Sequence, residues 1–179
     1  MTTETYLFQS ARLGFRPWRQ EDLEAMHKIN ADPQVMRYFP KTQDRAETLA
    51  FIHRMQDLQR EKGHCFFAVE TLDKGEFIGF IGLSIQDFEA DFTPLVDLGW
   101  RLKPSVWGLG YATEGAEACV HYAREVLDLK VLHAIAPEIN LPSIGVMKKI
   151  GMGLDRRFYH PSLPKDSVLN PCVLYALTL

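Results

Sequence analysis

Apolar and polar positions along the chain alternate at two different periods, and the changes of period mark its elements. The β-rich run from Leu7 to Phe15 predicts a strand ended by Pro17, and from Gln20 to Asn30 the apolar residues Leu23, Met26 and Ile29 recur at helical spacing. After a loop from Ala31 to Thr42 with Pro33 and Pro40, Asp44 and Glu47 make a capping-box pair. Leu49, Ile52, Met55 and Leu58 then carry a second helix to Gly63. Cys65 to Thr71 and Glu76 to Ile85 read as a hairpin closed by Asp73-Lys74-Gly75, and a third β-rich run, Leu95 to Leu102, stops before Pro104. Within that run Asp97, Gly99 and Arg101 share one face, and Val96, Leu98, Trp100 and Leu102 the other.

The period then lengthens. A helix is predicted from Tyr111 to Leu127 through Ala116, Val120 and Ala123, followed by an apolar strand, Val131 to Ala136. Strand-helix-strand order implies a parallel crossover. A short helix begins near Pro142, with Asn140 before it and Lys148, Lys149 and Gly151 at its end. Two last strands, Leu154 to His160 and Val168 to Leu177, flank a proline-containing loop. The order β-α-α-β-β-β-α-β-α-β-β predicts an α+β protein with a mixed sheet, mostly antiparallel and locally parallel at the crossover. With no internal repeat and no dividing linker, residues 1–179 are expected to form one domain.

Composition narrows the function classes. A hydrophobic content of 46% with 24% charged residues is an ordinary globular balance. A formal net charge of −3, without a dense run of Lys and Arg, argues against a nucleic-acid partner. Cys65, Cys119 and Cys172 are odd in number and each lies among apolar residues, so they are expected to be reduced core residues. No stretch approaches the length of a membrane span and the N-terminus has no leader pattern, so the expected location is cytoplasmic. His27, His53, His64, His121, His133 and His160 show no zinc-ligand spacing, and no metal is expected.

Candidate chemistry sits between the third run and the long helix, at Trp107-Gly108-Leu109-Gly110-Tyr111-Ala112-Thr113. Two glycines there let the backbone approach a bulky anion, with free N–H groups of the helix's first turn behind it. The alternative is a strand-helix turn that merely needs glycine. A Walker P-loop is excluded because Tyr111-Ala112-Thr113-Glu114, not Lys-Ser/Thr, follows Gly110. A dinucleotide site falls short twice: Thr113 stands at the third glycine position, and the unit follows three antiparallel strands.

Taken together, several motifs resemble the GNAT superfamily of acyl-CoA N-acyltransferases. They are Val96-Asp97-Leu98-Gly99-Trp100, Pro104, Trp107 to Glu114, Asn140-Leu141-Pro142-Ser143 and Lys148-Lys149-Ile150-Gly151-Met152. With Arg16-Pro17-Trp18 and Asp32 to Tyr38 included, the chain looks most like the branch that acetylates N-terminal amines of ribosomal proteins, which commonly has Trp at the position of Trp107. The resemblance implies a splayed parallel strand pair forming an acyl-CoA cleft and acetyl-CoA as co-substrate. It also implies an amine acceptor, either a protein N-terminus or a small molecule. Cofactor contacts are implied at Leu102, Trp107, Gly108, Leu109, Gly110, Tyr111, Ala112, Thr113, Asn140 and Ser143. A monomer or homodimer is expected, with no membrane partner.

Acetylating an amine requires a base for the amine's proton, and a carboxylate in a cleft serves if its pKa is raised. Asp97 is the candidate, where the resembling family commonly has Glu, and being shorter it favours a relaying water; a solvated strand residue is the alternative. Many relatives place a proton-donating Tyr seven residues after the Asn, but here that position is Met147. Ser143 is the replacement considered for protonating the thiolate, though its hydroxyl can instead bond the cofactor or helix backbone. Asn140 reads either as a plain helix cap or as a ligand for the pantetheine arm. Tyr38, Phe39 and the Tyr159 to Ser167 loop are candidate walls of an acceptor site. The expected activity is acetyl transfer to a primary amine by direct attack in a ternary complex, the alternative being an acyl-CoA-binding domain without turnover.

Overall fold

The computed structural model describes residues 6–179. One eight-stranded sheet runs in the order β1-β2-β3-β4-β5-β6-β8-β7. Its strands are β1 (Phe8–Gln9), β2 (Leu13–Arg16), β3 (Phe66–Thr71), β4 (Phe77–Gln86), β5 (Leu95–Leu102), β6 (Val131–Pro137), β7 (Gly153–Phe158) and β8 (Cys172–Thr178). All neighbours are antiparallel except β5 and β6, as the strand-helix-strand order predicts. The helices are α1 (Asp22–Asn30), α2 (Arg45–Lys62), α3 (Tyr111–Glu125) and α4 (Leu141–Lys149).

Helix α2 begins and ends as its sequence demands. Asp44 accepts from the Glu47 N–H while Glu47 accepts from the Asp44 N–H, and Gly63 closes the helix at φ 75°. Period-two alternation in β4 sorts the layers. Phe80 meets Phe51 of α2 on one face, whereas Ile81 on the other would clash with any side chain at Gly115 of α3. Helices α1 and α2 therefore cover one face and α3 the other. A buried ion cluster locks the first face, with Arg16 donating to both oxygens of Asp22 at 2.7 Å and to Glu70 at 2.6 Å.

Two strand expectations change. The Leu7 to Phe15 run is a tight hairpin, not one strand: Ser10 N–H donates to the Leu13 carbonyl, the Leu13 N–H returns to Ser10 Oγ, and Phe8 faces Phe15. The last strand begins at Cys172 instead of Val168, because residues 167–170 form turns and Pro171 has no N–H to give a ladder. The three cysteines are free and buried, as expected. Among the described residues no helix is long and apolar enough to cross a membrane.

Candidate active site

Strands β5 and β6 meet at a single register pair, Asp97 with His133, and part beyond it. Where the ladder would continue, the Ile135 N–H donates at 3.1 Å to Asp97 Oδ1, while Gln86 Nε2 donates at 3.1 Å to Oδ2. A side-chain carboxylate thus takes the place of a strand carbonyl at the point of divergence. Asp97 is buried, not the solvated strand residue of the alternative reading, and desolvation pushes its pKa up to about 7 against the opposing pull of these two bonds.

The gap opens into two adjoining cavities. The smaller, about 220 Å³, is lined by Asp97, Gly99 and Arg101 together with Phe66, Phe80 and Gln86. Leu98 and Trp100 of the opposite face also reach this lining, while the register with β4 sets Asp97, Gly99 and Arg101 beside Ser84, Gly82 and Phe80 on one face. Gly99 leaves room for the Phe66 ring, which a Cβ at that position would meet at 2.9 Å. The larger cavity, about 490 Å³, runs from Leu102 past the glycine loop to α4. Tyr38, Phe39, Trp100, Arg101, Asn140 and Ser143 line both.

The loop has the form that an anion cradle needs. Gly108 and Gly110 sit at φ 75° and 83°, a region that disfavours other residues. The first bond of α3 runs from the Glu114 N–H to the Gly110 carbonyl, so the N–H groups of Tyr111, Ala112 and Thr113 precede it and have no carbonyl one turn back. The dipole of a fifteen-residue helix lies behind them. Trp107 Nε1 donates at 2.8 Å to the Leu102 carbonyl, and the Arg37 guanidinium lies 5.7 Å from the Trp107 ring. Arg37 and Lys149 add positive charge to the lining. Of the loop residues singled out from sequence, Trp107, Gly108, Gly110, Tyr111, Ala112 and Thr113 line the larger cavity. Leu109 lines neither cavity; it is exposed, and its carbonyl accepts from Arg12 at 3.1 Å.

Asn140 is the N-cap of α4, with Oδ1 accepting from the Ser143 N–H at 3.2 Å. The cap uses the oxygen and leaves the amide N–H₂ at the cavity wall, so the two readings of this residue are compatible. The Ser143 hydroxyl makes no hydrogen bond among the described residues. Met147 is buried in the smaller cavity's wall. Within the Tyr159 to Ser167 loop His160 alone lines either of these two cavities. Its Nδ1 accepts from the Ser162 N–H at 3.2 Å, which leaves Nε2 as the N–H donor of the neutral ring.

Sequence reasoning gave no part to Gln86, Phe66, Phe80 or Ile135, whereas it named the Tyr159 to Ser167 loop that supplies His160. Strand alternation could have placed Phe80 and Gln86 on the Asp97 face, but nothing local signals the Ile135 N–H or the fold-back of His160. Arg101 was assigned a face without its most telling property, that it has no carboxylate partner among the described residues.

The chain matches the acetyltransferase (GNAT) domain model over residues 12–153. It is 31% identical over 159 residues to the uncharacterised N-acetyltransferase YnaD of Bacillus subtilis, covering 87% of each chain. A solved acetyltransferase of the GNAT family from Bacillus anthracis superposes with TM-score 0.77 at 26% identity, over 95% of this chain and 96% of that one. RimL, the ribosomal L7/L12 α-N-protein acetyltransferase solved in complex with coenzyme A, shares the fold at TM-score 0.76 and 16% identity, over 95% and 96% of the two chains. Fold, matched domain and relatives agree: the chain belongs to the GNAT acetyltransferase family.

Proposed function

We propose that this protein transfers the acetyl group of acetyl-CoA to a primary amine by direct attack in a ternary complex. The observation that carries this reading is the carboxyl of Asp97, with a pKa near 7, buried in the wall of a cavity that adjoins a glycine loop at a helix N-terminus. The residues present suit the donor. The loop N–H groups with Arg37 and Lys149 would hold the pyrophosphate, and the β5–β6 gap and the Asn140 amide would hold the pantetheine arm. When bound, acetyl-CoA supplies the thioester: a nitrogen–carbon bond forms, the carbon–sulfur bond breaks, the amine loses a proton and the thiolate gains one.

Asp97 takes the amine's proton, directly or through water. A pKa near the working pH keeps it part-ionised while leaving it basic enough to accept. Ser143, a residue lining both cavities whose hydroxyl makes no hydrogen bond among the described residues, gives the thiolate its proton in this reading. The neighbouring cavities position the two substrates so that attack is effectively intramolecular. In the second reading, a binding domain without turnover, Met147 leaves the thiolate without a donor.

Calorimetric titration with acetyl-CoA, followed by coenzyme A release with a panel of amines, tests this. Binding together with turnover that is lost in Asp97→Asn supports transfer, and binding without turnover on any amine supports the second reading. Ser143→Ala should lower turnover more than acetyl-CoA affinity; kinetics equal to the parent would remove Ser143 from the mechanism.

A further inference from the structure

The molecule has two buried arginines, and they are treated in opposite ways. Arg16 is neutralised by Asp22 and Glu70 in the ion cluster of the first face. Arg101 is 9% exposed and forms no ion pair among the described residues. Its one protein hydrogen bond runs from Nη1 to Asn30 Oδ1 at 2.7 Å. Among the described residues Nε is buried with no partner and Nη2 donates to no acceptor. Behind Asn30 the polar groups are neutral, with Asn30 donating to Thr48 Oγ1 and Thr48 donating to the Asp44 carbonyl. Two aromatic faces complete the surroundings, Phe39 at 4.2 Å and Phe80 at 5.3 Å from the guanidinium carbon. With nothing to compensate it, burial pulls even this guanidinium down to about 10.

A buried cation without a counter-ion is costly, and removing its partner from a buried pair usually destabilises a fold strongly. The cost is tolerated most readily where a ligand completes the pair. Arg101 lines both cavities, on the strand face shared with Asp97 and Gly99. We propose that Arg101 binds an anionic group of the acceptor, so that the amine acetylated by this protein also carries a carboxylate. This rests on the acetyl-transfer reading above and specifies its second substrate. A carboxylate fits better than a phosphate, because one buried positive charge balances a monoanion and a dianion would leave a surplus in a low-dielectric site. The donor's phosphates already have the loop N–H groups and the exposed Arg37 and Lys149. The same cation repels polyamines, and the aromatic lining suits an acceptor with an apolar body between its amine and its anion.

Three amines of matched length separate charge from size: ε-aminocaproate, its amide and cadaverine. With coenzyme A bound to the protein, calorimetry should show the carboxylate binding at least about tenfold more tightly than the amide, with cadaverine weakest. Coenzyme A release should rank the same amines in the same order with acetyl-CoA. Arg101→Met should bring the carboxylate and the amide to equal affinity, with coenzyme A affinity unchanged. Arg101→Lys should keep part of the preference, and Arg101→Glu should turn it toward cadaverine; neither result can come from misfolding. Equal affinity, or no binding, of all three amines to a parent that binds coenzyme A would overturn the assignment and leave acetyl transfer standing. Weaker coenzyme A binding in Arg101→Met would also overturn it, by giving Arg101 to the donor. Failure of the parent to bind coenzyme A would instead remove the acetyl-transfer reading itself.

Discussion

Asp97 has two duties that pull in opposite directions. As an ionised acceptor it ties the Ile135 N–H to β5 where the ladder ends, and as a buried carboxyl it is costly to ionise. Its pKa of about 7 in the folded chain lies above the ordinary 3.8, so the native state binds this proton more tightly than the unfolded state does. The stability this group contributes therefore falls as pH rises between those two values. Above that window the folded protein holds a desolvated charge that an amide would not carry. Asp97→Asn keeps an oxygen for the Ile135 N–H and removes the charge, so at pH 8 its melting temperature should exceed the parent's by at least about 2 °C, read by calorimetry. The same change should lower turnover by about a hundredfold or more. The parent's kcat/KM should rise with pH through an apparent pKa near 7, and the variant should lose that limb. A variant both less stable and equally active would mean that Asp97 is only a strut.

At the scale of elements, the glycine loop depends on a residue outside it. Arg12, in the β1–β2 turn, donates to Glu114 Oε2 at 2.6 Å and to the Leu109 carbonyl at 3.1 Å, and its guanidinium lies 4.4 Å from the Tyr111 ring. Glu114 also accepts from Ser10 Oγ at 2.7 Å and the Arg12 N–H at 2.8 Å, so one carboxylate on the first turn of α3 holds the hairpin turn and the loop together. Arg12 lines neither cavity, yet Arg12→Met should weaken acetyl-CoA binding about three- to tenfold while leaving kcat at saturation unchanged. A double-mutant cycle with Glu114→Gln should show strong coupling, and additive losses would dissolve the clamp. Gly108→Ala isolates the loop's own strain, because its new methyl group meets open space while its φ of 75° stays unfavourable. It should cost about 1–2 kcal/mol in denaturant unfolding.

This clamp also shows where legibility in the sequence ended. The α2 cap, the alternation of faces along β5 and the glycine loop were readable because each depends on residues within a few positions of one another: Asp44 with Glu47, Asp97 with Gly99, Gly108 with Gly110. The first hairpin was not, because Ser10-Ala11-Arg12 lacks glycine, proline and asparagine, and the group that holds the turn, Glu114, lies 104 residues from Ser10. In the candidate site, the motifs located Asp97, Asn140 and Ser143 along the chain. The degree of burial that raises Asp97, and the missing partner of Arg101, are properties of packing, and no periodicity carries them.

The whole molecule is built on a sheet whose strand ladder is sparse at its middle. Strands β1 to β5 form one antiparallel block and β6 to β8 another; the single Asp97–His133 register, the Asp97–Ile135 bond, the packing of α3 against β4 and β5 and of α4 against α3 and β6, and the ring contacts of Phe88 and Phe92 with Phe158 join the two. Beyond Asp97 and His133 the two strands share no register pair, and residues of both line the smaller cavity. In the proposed reaction a bound pantetheine arm would fill that seam with its amides, coupling donor binding to the cohesion of both blocks. Amides of β6 that face the seam should then exchange with solvent faster in the free protein than those facing β8, and acetyl-CoA should slow them selectively. At an acetyl-CoA concentration a hundred times its dissociation constant, binding to the native state alone adds about 2.7 kcal/mol, a rise of roughly 5–10 °C in melting temperature for a chain of this size. Protection confined to the glycine loop, with the seam exchanging as before, would mean that the phosphates bind but the arm does not lie between the strands. Protection along β6 as well would tie the splay at Asp97 to the place where the donor is held.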